Sequence, residues 1–358
     1  MASDSRTPIC YPRWRKMSAV RCHGNSRTCR IFFLMSESSD WAFPPELQPS
    51  PERVHFDLDA ALNAVVMLRA EIPQDAFTAS ILGTERIGNG VVIRADGLVL
   101  TIGYLVTEAQ TIWLTTNAGS AIPGHTLAYD QATGFGLVQP LGRLGIAALE
   151  RGSARSCAVG DEVTVIGHGG RSHALQAKII ARREFAGYWE YVLDDALFTA
   201  PAHPQWGGAA LVGADGRLLG VGSLLVQEAL GNETVQGNMI VPIDPLEPIL
   251  GDMLTIGRAN RPPRPWLGMY TTDASGQLVV GGLADGGPAD RAGVRPGDLV
   301  LEVAGERAST LVDLFRKVWR LGSAGVEVPL TLGREGALVR VRVRSADRSD
   351  FLKKPPLH

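Results

Sequence analysis

Cysteine is scarce in this 358-residue sequence: of four, Cys10, Cys22 and Cys29 lie within the first 34 residues, leaving Cys157 alone in the remainder. A disulfide framework is thereby excluded for the main body, and a single thiol suits a reducing compartment without establishing one. Cys157 reads as a small buried hydrophobe in preference to a thiolate nucleophile. No apolar run approaches the ~20 residues of a spanning helix, so no integral membrane segment is expected. "IFFLM" at 31–35 is shorter than the apolar core of a secretory signal, roughly 7–15 residues. No H-E-x-x-H or His/Cys pair has metal-ligand spacing, and no G-x-G-x-x-G follows a strand to open a helix. Neither a metal nor a cofactor is expected.

Clustered positive charge is absent from most of the chain. The formal net charge is −2, but residues 1–34 hold seven Lys/Arg against Asp4, and the remainder holds 28 basic and 36 acidic residues. Nucleic acid is excluded as a partner, because neutralising phosphates needs grouped Lys and Arg. Residues 1–34 admit three readings: translated upstream sequence before Met17 or Met35, a disordered basic tail, or an Arg- and Ser-rich transit peptide. Residues 1–54 together read as a basic and Pro-rich N-terminal tail, disordered by composition.

What the chain does have is glycine (41), proline (22) and short apolar runs. "DLDAALNAVVMLRAEI" (57–72) reads as a helical turn feeding a strand. From residue 79 onward strands of 4–8 residues alternate with Gly, Asp-Gly and Asn-Gly turns, as in "GNGVVIRADGLVLTI" and "AALVGADGRLLGVGSLL". That spacing indicates a mainly β sandwich or barrel. "PLEPILGDMLTIG" (245–257) closes this unit as a helix, and "RANRPPRP" (258–265) is a proline-stiffened linker. A second α+β unit follows at 266–345, then a C-terminal tail at 346–358. "NET" (232–234) matches a glycosylation acceptor, which matters only in a secreted protein.

The segments "RIGNGVVIRADGLVLTIGYLV", "AVGDEVTVIGHGG", "GGAALVGADGRLLGV" and "MIVPIDPLEPIL", in that order, resemble the HtrA/Deg-type, trypsin-like serine proteases. The resemblance covers roughly residues 60–345. It implies a trypsin-like double β-barrel at 55–257, with a cleft between two six-stranded barrels, followed by a PDZ domain. The family's base histidine belongs to an "LTNNHVV"-like segment; here "LTIGYLV" puts Tyr104 in its place. The aspartate's "TDLAVL"-like segment is "TGFGLV", with Gly134, and the nucleophile's "GNSGGPL" is "PQWGGAAL", with Trp206. The intervals of 30 and 72 residues match the family pattern.

A serine hydroxyl attacks only when an imidazole takes its proton, and a carboxylate holds that imidazole in its tautomer. Tryptophan has no nucleophilic atom, a phenol of pKa near ~10 is a poor base at neutral pH, and glycine orients nothing. No catalytic residue is therefore expected at these positions. His168, His203, Asp194 and Asp195 read as loop and turn residues. Tyr104 and Trp206 either fill the former cleft or line an aromatic groove that holds peptide uncut.

"GPADRAGVRPGDLVLEVAGE" (287–306) resembles the PDZ segment "SPAEKAGLKPGDVIVSVNG". Leu311, Leu314, Phe315 and Val318 recur at helical spacing on one face. By resemblance the carboxylate-binding loop is "WLGM": Trp266, Leu267, Gly268 and Met269. Gly268 allows close backbone approach, Leu267 and Met269 line the pocket, and Leu314 and Val318 form its helical wall.

Together these readings give a catalytically inactive HtrA-like homologue that binds polypeptide C-termini or unfolded segments through its PDZ domain, as adaptor, sensor or chaperone-like subunit. Fold-level analogy alone gives the alternative of a serine endopeptidase in protein quality control; a third reading is a structural subunit of a protease assembly. The family resemblance implies a homotrimer, with the "WAFPPEL" arm (Trp41, Phe43) as a possible contact. Family members usually act outside the cytoplasm, but without an export signal a cytoplasmic location is expected.

Overall fold

The computed structural model describes residues 41–230 and 233–354, so the first 40 residues and Asn232 of the "NET" triplet lie outside the described residues. Asp57 caps the first helix, α1 (Leu58–Asn63), by accepting a hydrogen bond from Ala60 N at 3.0 Å. The chain then enters β1 (Val65–Glu71), where Leu68 and Ala70 face inward while Arg69 and Glu71 face out. This period-2 alternation fixes the register, since a one-residue slip would expose every core side chain. Leu68 pairs with Gly88 on one side and Leu114 on the other.

Strands β2 (Glu85–Val92), β3 (Val99–Ile102), β4 (Thr111–Thr115), β5 (Ala121–Tyr129) and β6 (Phe135–Pro140) close a barrel with β1 in the order β1-β2-β3-β6-β5-β4. A second closed barrel, in the order β10-β11-β12-β9-β8-β7, comprises β7 (Glu162–Ile166), β8 (Ala174–Gly187), β9 (Tyr191–Ala200), β10 (Ala210–Val212), β11 (Leu218–Leu230) and β12 (Glu233–Pro242). Closure leaves neither barrel an unpaired edge. One apolar cluster runs from Leu68, Leu100 and Leu137 of the first barrel into Phe198, Val221 and Met239 of the second.

Helix α2 (Glu247–Ile256) ends at Gly257, whose left-handed φ of 74° provides the stop. The linker that follows is anchored at both ends. Arg261 pairs with buried Asp130 at 2.6 Å, and Arg264 lies 4.0 Å over the Trp319 ring. The last unit is a sheet of β13 (Met269–Ala274), β14 (Gln277–Leu283), β15 (Leu299–Val303), β16 (Glu306–Arg307), β17 (Glu327–Arg334) and β18 (Ala337–Arg344). It packs against α3 (Leu311–Arg320), which Thr310 caps by accepting from Asp313 N. As the helical spacing requires, Leu314, Phe315 and Val318 are buried in its core.

Two segments expected as tails are ordered where described. Residues 41–54 lie against the second barrel: Phe43 N donates to Ser172 O at 2.9 Å, and Phe43 and Leu47 cover its core. Composition gave no sign of this, because two apolar side chains suffice to hold the segment. Residues 346–354 return to the first barrel, where Lys353 N donates to buried Glu108 at 2.8 Å and Phe351 packs 4.8 Å from Trp266. No helix among the described residues is long and apolar enough to cross a membrane.

Candidate functional site

Tyr104 sits on the tight turn after β3, half-buried, and its hydroxyl crosses to the second barrel. It donates to Ser223 O at 2.8 Å and bonds the Trp206 side chain, whose indole N–H can only donate. Burial raises the phenol well above its ordinary value, so this group stays protonated and is no base. Trp206 is buried at 7% exposure. Of the two readings of these aromatics, packing describes them here: both are tied into the contact between the barrels.

Gly134 has φ +83°, a left-handed backbone that a side chain would strain, and a Cβ added there would lie 3.4 Å from the Tyr191 hydroxyl. Nearby Asp130 is turned elsewhere, accepting from Thr133 N and Oγ1 and from Arg261. A trypsin-like oxyanion hole takes its N–H donors from the nucleophile and the residue two before it. Here that second residue is Pro204, which has no N–H, while the intervening Gln205 N donates to His203 Nδ1 at 3.1 Å. The Pro204 signal was legible in "PQWGG".

The remaining titratable side chains do not converge. Asp195 pairs with Arg182, and Asp194 with Arg316. His203 is fully buried beside Trp41 and Phe43, with ring centroids at 5.5 and 5.2 Å. Its Nε2–H donates to His173 O at 2.9 Å while Nδ1 accepts from Gln205, which fixes the neutral tautomer. Cys157 is half-buried, and burial, with Asp161 beside it, raises its thiol. No three His, Cys, Asp or Glu side chains among the described residues are grouped to hold a metal.

His203 has a consequence for stability. Burial lowers its pKa from 6.5 to about 4. A depressed histidine favours the folded state fully above the unfolded pKa, and that contribution is lost as pH falls through the folded one. Acidification from pH 6.5 to 4 is expected to remove roughly 2–4 kcal/mol, read as a falling thermal midpoint with His203 silent in NMR titration above pH 5. Titration of His203 near 6.5 would contradict this.

A cavity of about 90 Å³ lies beside Tyr104 and Gly134, walled by Tyr129, Tyr188, Trp189 and Trp266. Trp266 faces this cavity and the rings of Phe77 and Phe351. The sequence expectation had put it with the peptide loop.

The amides of Leu267, Gly268 and Met269, which follow Trp266 in that loop, are already engaged. Gly268, at φ +70°, turns the backbone so that Leu267 N and Met269 N donate to one carboxylate, at 2.9 and 3.0 Å. Gly268 N also contributes. The carboxylate is that of Glu190, at the tip of the β8–β9 hairpin of the second barrel. Burial raises its pKa to about 7; the three loop amides and Arg348 pull it down. Leu267, Met269, Leu314 and Val318 are buried in one cluster, and Val192, two residues beyond Glu190, belongs to it. Sequence reasoning missed Glu190 because nothing in "GYWEYV" marks a contact 77 residues away.

The comparisons agree with this architecture. Residues 88–221 match the trypsin-like peptidase domain family and residues 265–344 the PDZ domain family. The serine protease PepD of Mycobacterium tuberculosis is 26% identical over 73% of this chain. The serine endoprotease DegS of Haemophilus influenzae is 22% identical, also over 73% of this chain and over 77% of its own length. This chain spans about three fifths of several curated relatives, 61% of PepD and 59% of HhoB from Synechocystis. Among solved structures, a variant of the HtrA-type protease AlgW with tripeptide superposes with TM-score 0.50 at 21% identity, over 83% of this chain and 97% of that one. The chain carries a trypsin-like peptidase domain followed by a PDZ domain, the HtrA/Deg-type arrangement.

Proposed function

We propose that this chain is a non-proteolytic HtrA/Deg-type protein that binds polypeptide C-termini through its PDZ domain. The observation that carries the binding half is the convergence of Leu267 N and Met269 N on a carboxylate. Two backbone donors aimed at one anion, on a strand edge beside a helix, form the chemistry by which PDZ domains capture a chain terminus. The non-proteolytic half rests on Tyr104, Gly134, Trp206 and Pro204, which together remove the base, its orienting group, the nucleophile and one oxyanion donor.

The names of the relatives favour the other reading, a serine endopeptidase. The two separate in one assay: incubation with unfolded casein and a serine-directed fluorophosphonate. No fragments and no labelled protein are expected. Fragments together with stoichiometric labelling would establish the endopeptidase. The proposal includes a homo-oligomer; sedimentation giving a single monomeric species would remove that part.

A further inference from the structure

A PDZ ligand supplies three things: a carboxylate for the loop amides, a backbone carbonyl along the strand edge, and an apolar side chain for the pocket. This chain supplies all three itself. The Glu190 carboxylate accepts from Leu267 N and Met269 N. Two residues upstream, Tyr188 O accepts from Thr271 N at 3.3 Å, so the 188–190 turn lies against the edge of β13 through a backbone carbonyl. Val192 enters the apolar cluster of Leu267, Met269, Leu314 and Val318. Outside the groove, Arg316 of α3 ties to Asp194 at 2.6 Å and to Glu184, one on each strand of the hairpin.

We propose that residues 188–192 are a built-in ligand of the PDZ groove, and that a polypeptide ending in an aliphatic residue with a free α-carboxylate displaces it. The proposal rests on the C-terminus reading above and adds what the partner must compete with. The internal ligand is held on unfavourable terms. Glu190 is the last residue of the three-residue 188–190 loop and adopts φ +61°, a backbone conformation rarely used by residues with a side chain. Its raised pKa marks desolvation that the amides do not fully offset. A true C-terminus carries its carboxylate on the main chain and needs no such turn. Displacement also exposes the cavity beside Tyr104, because Tyr188 and Trp189 form part of its wall.

The test is calorimetric titration of the full chain with a peptide ending in free-acid valine, for the wild type, Glu190→Ala and Glu190→Gln. Hydrogen exchange is followed on the same samples. With an open form populated at about 1–10%, Glu190→Ala binds about 10–100-fold tighter than wild type, and Glu190→Gln falls between. Arg316→Ala, which leaves the groove intact, shifts affinity in the same direction by less. In the wild type, peptide speeds exchange across 186–192 while Leu267 and Met269 stay protected. Equal affinities with a hairpin still protected in the complex overturn the built-in ligand and leave the C-terminus reading standing. Binding by none of the variants overturns both.

Discussion

Trp206→Ala is expected to lower the stability of the folded protein by roughly 3–5 kcal/mol, the range for truncating a buried large aromatic. At 7% exposure the indole is surrounded by protein, and its N–H bonds the Tyr104 hydroxyl of the other barrel. Truncation therefore leaves a cavity and removes an interbarrel hydrogen bond together. The Tyr104 hydroxyl keeps its bond to Ser223 O, so the loss falls chiefly on packing. Tyr104→Phe removes the hydrogen bonds and keeps the ring; it is expected to cost about 1–3 kcal/mol, because Ser223 O and the indole N–H lose their partner. Denaturant unfolding of both variants gives the two values. A Trp206→Ala loss under about 1 kcal/mol would mean that the tryptophan does not hold the barrels together.

The second expectation concerns repair. The triple variant Tyr104→His, Gly134→Asp, Trp206→Ser restores the three residue types and is expected to stay at least about 10⁴-fold below a working triad. Three features of the backbone stand in the way. Gly134 is left-handed, and an aspartate there is strained by roughly 1–2 kcal/mol, its Cβ in contact with the Tyr191 hydroxyl at 3.4 Å. Pro204 has no N–H to give, and loss of one oxyanion donor costs about 10²–10³ in turnover. Gln205 N, the neighbouring amide that could stand in for it, is held by His203 Nδ1 at 3.1 Å. Cleavage of casein with fluorophosphonate labelling dependent on the Trp206→Ser change would show that the scaffold still holds an active geometry.

Much of the architecture was legible because its determinants are local. The helical turn feeding a strand at 57–72 and the helical spacing of Leu311, Leu314, Phe315 and Val318 each rest on side chains within a few residues of one another. What escaped was set by contacts distant in sequence. Glu190 meets Leu267 across 77 residues and Glu108 meets Lys353 across 245; no periodicity or turn signal encodes either. Trp266 was placed with the peptide loop from its neighbours in sequence, yet its ring turns toward Phe77 and Phe351. The side chains expected to line an open pocket are buried, Leu267 at 2% and Met269 at 1% exposure, because the hairpin that covers them lies in another domain.

On the C-terminus reading, the Leu267 and Met269 amides hold a free terminal carboxylate, and the chain leaves what it binds uncut. The most direct measurement is a titration of the wild-type chain with an aliphatic-ended peptide as the free acid and as its amide, followed by mass analysis of the recovered peptide. Binding of the acid, loss of most affinity in the amide and full recovery of intact peptide are predicted. Equal binding of acid and amide, or recovery of fragments, would contradict the account.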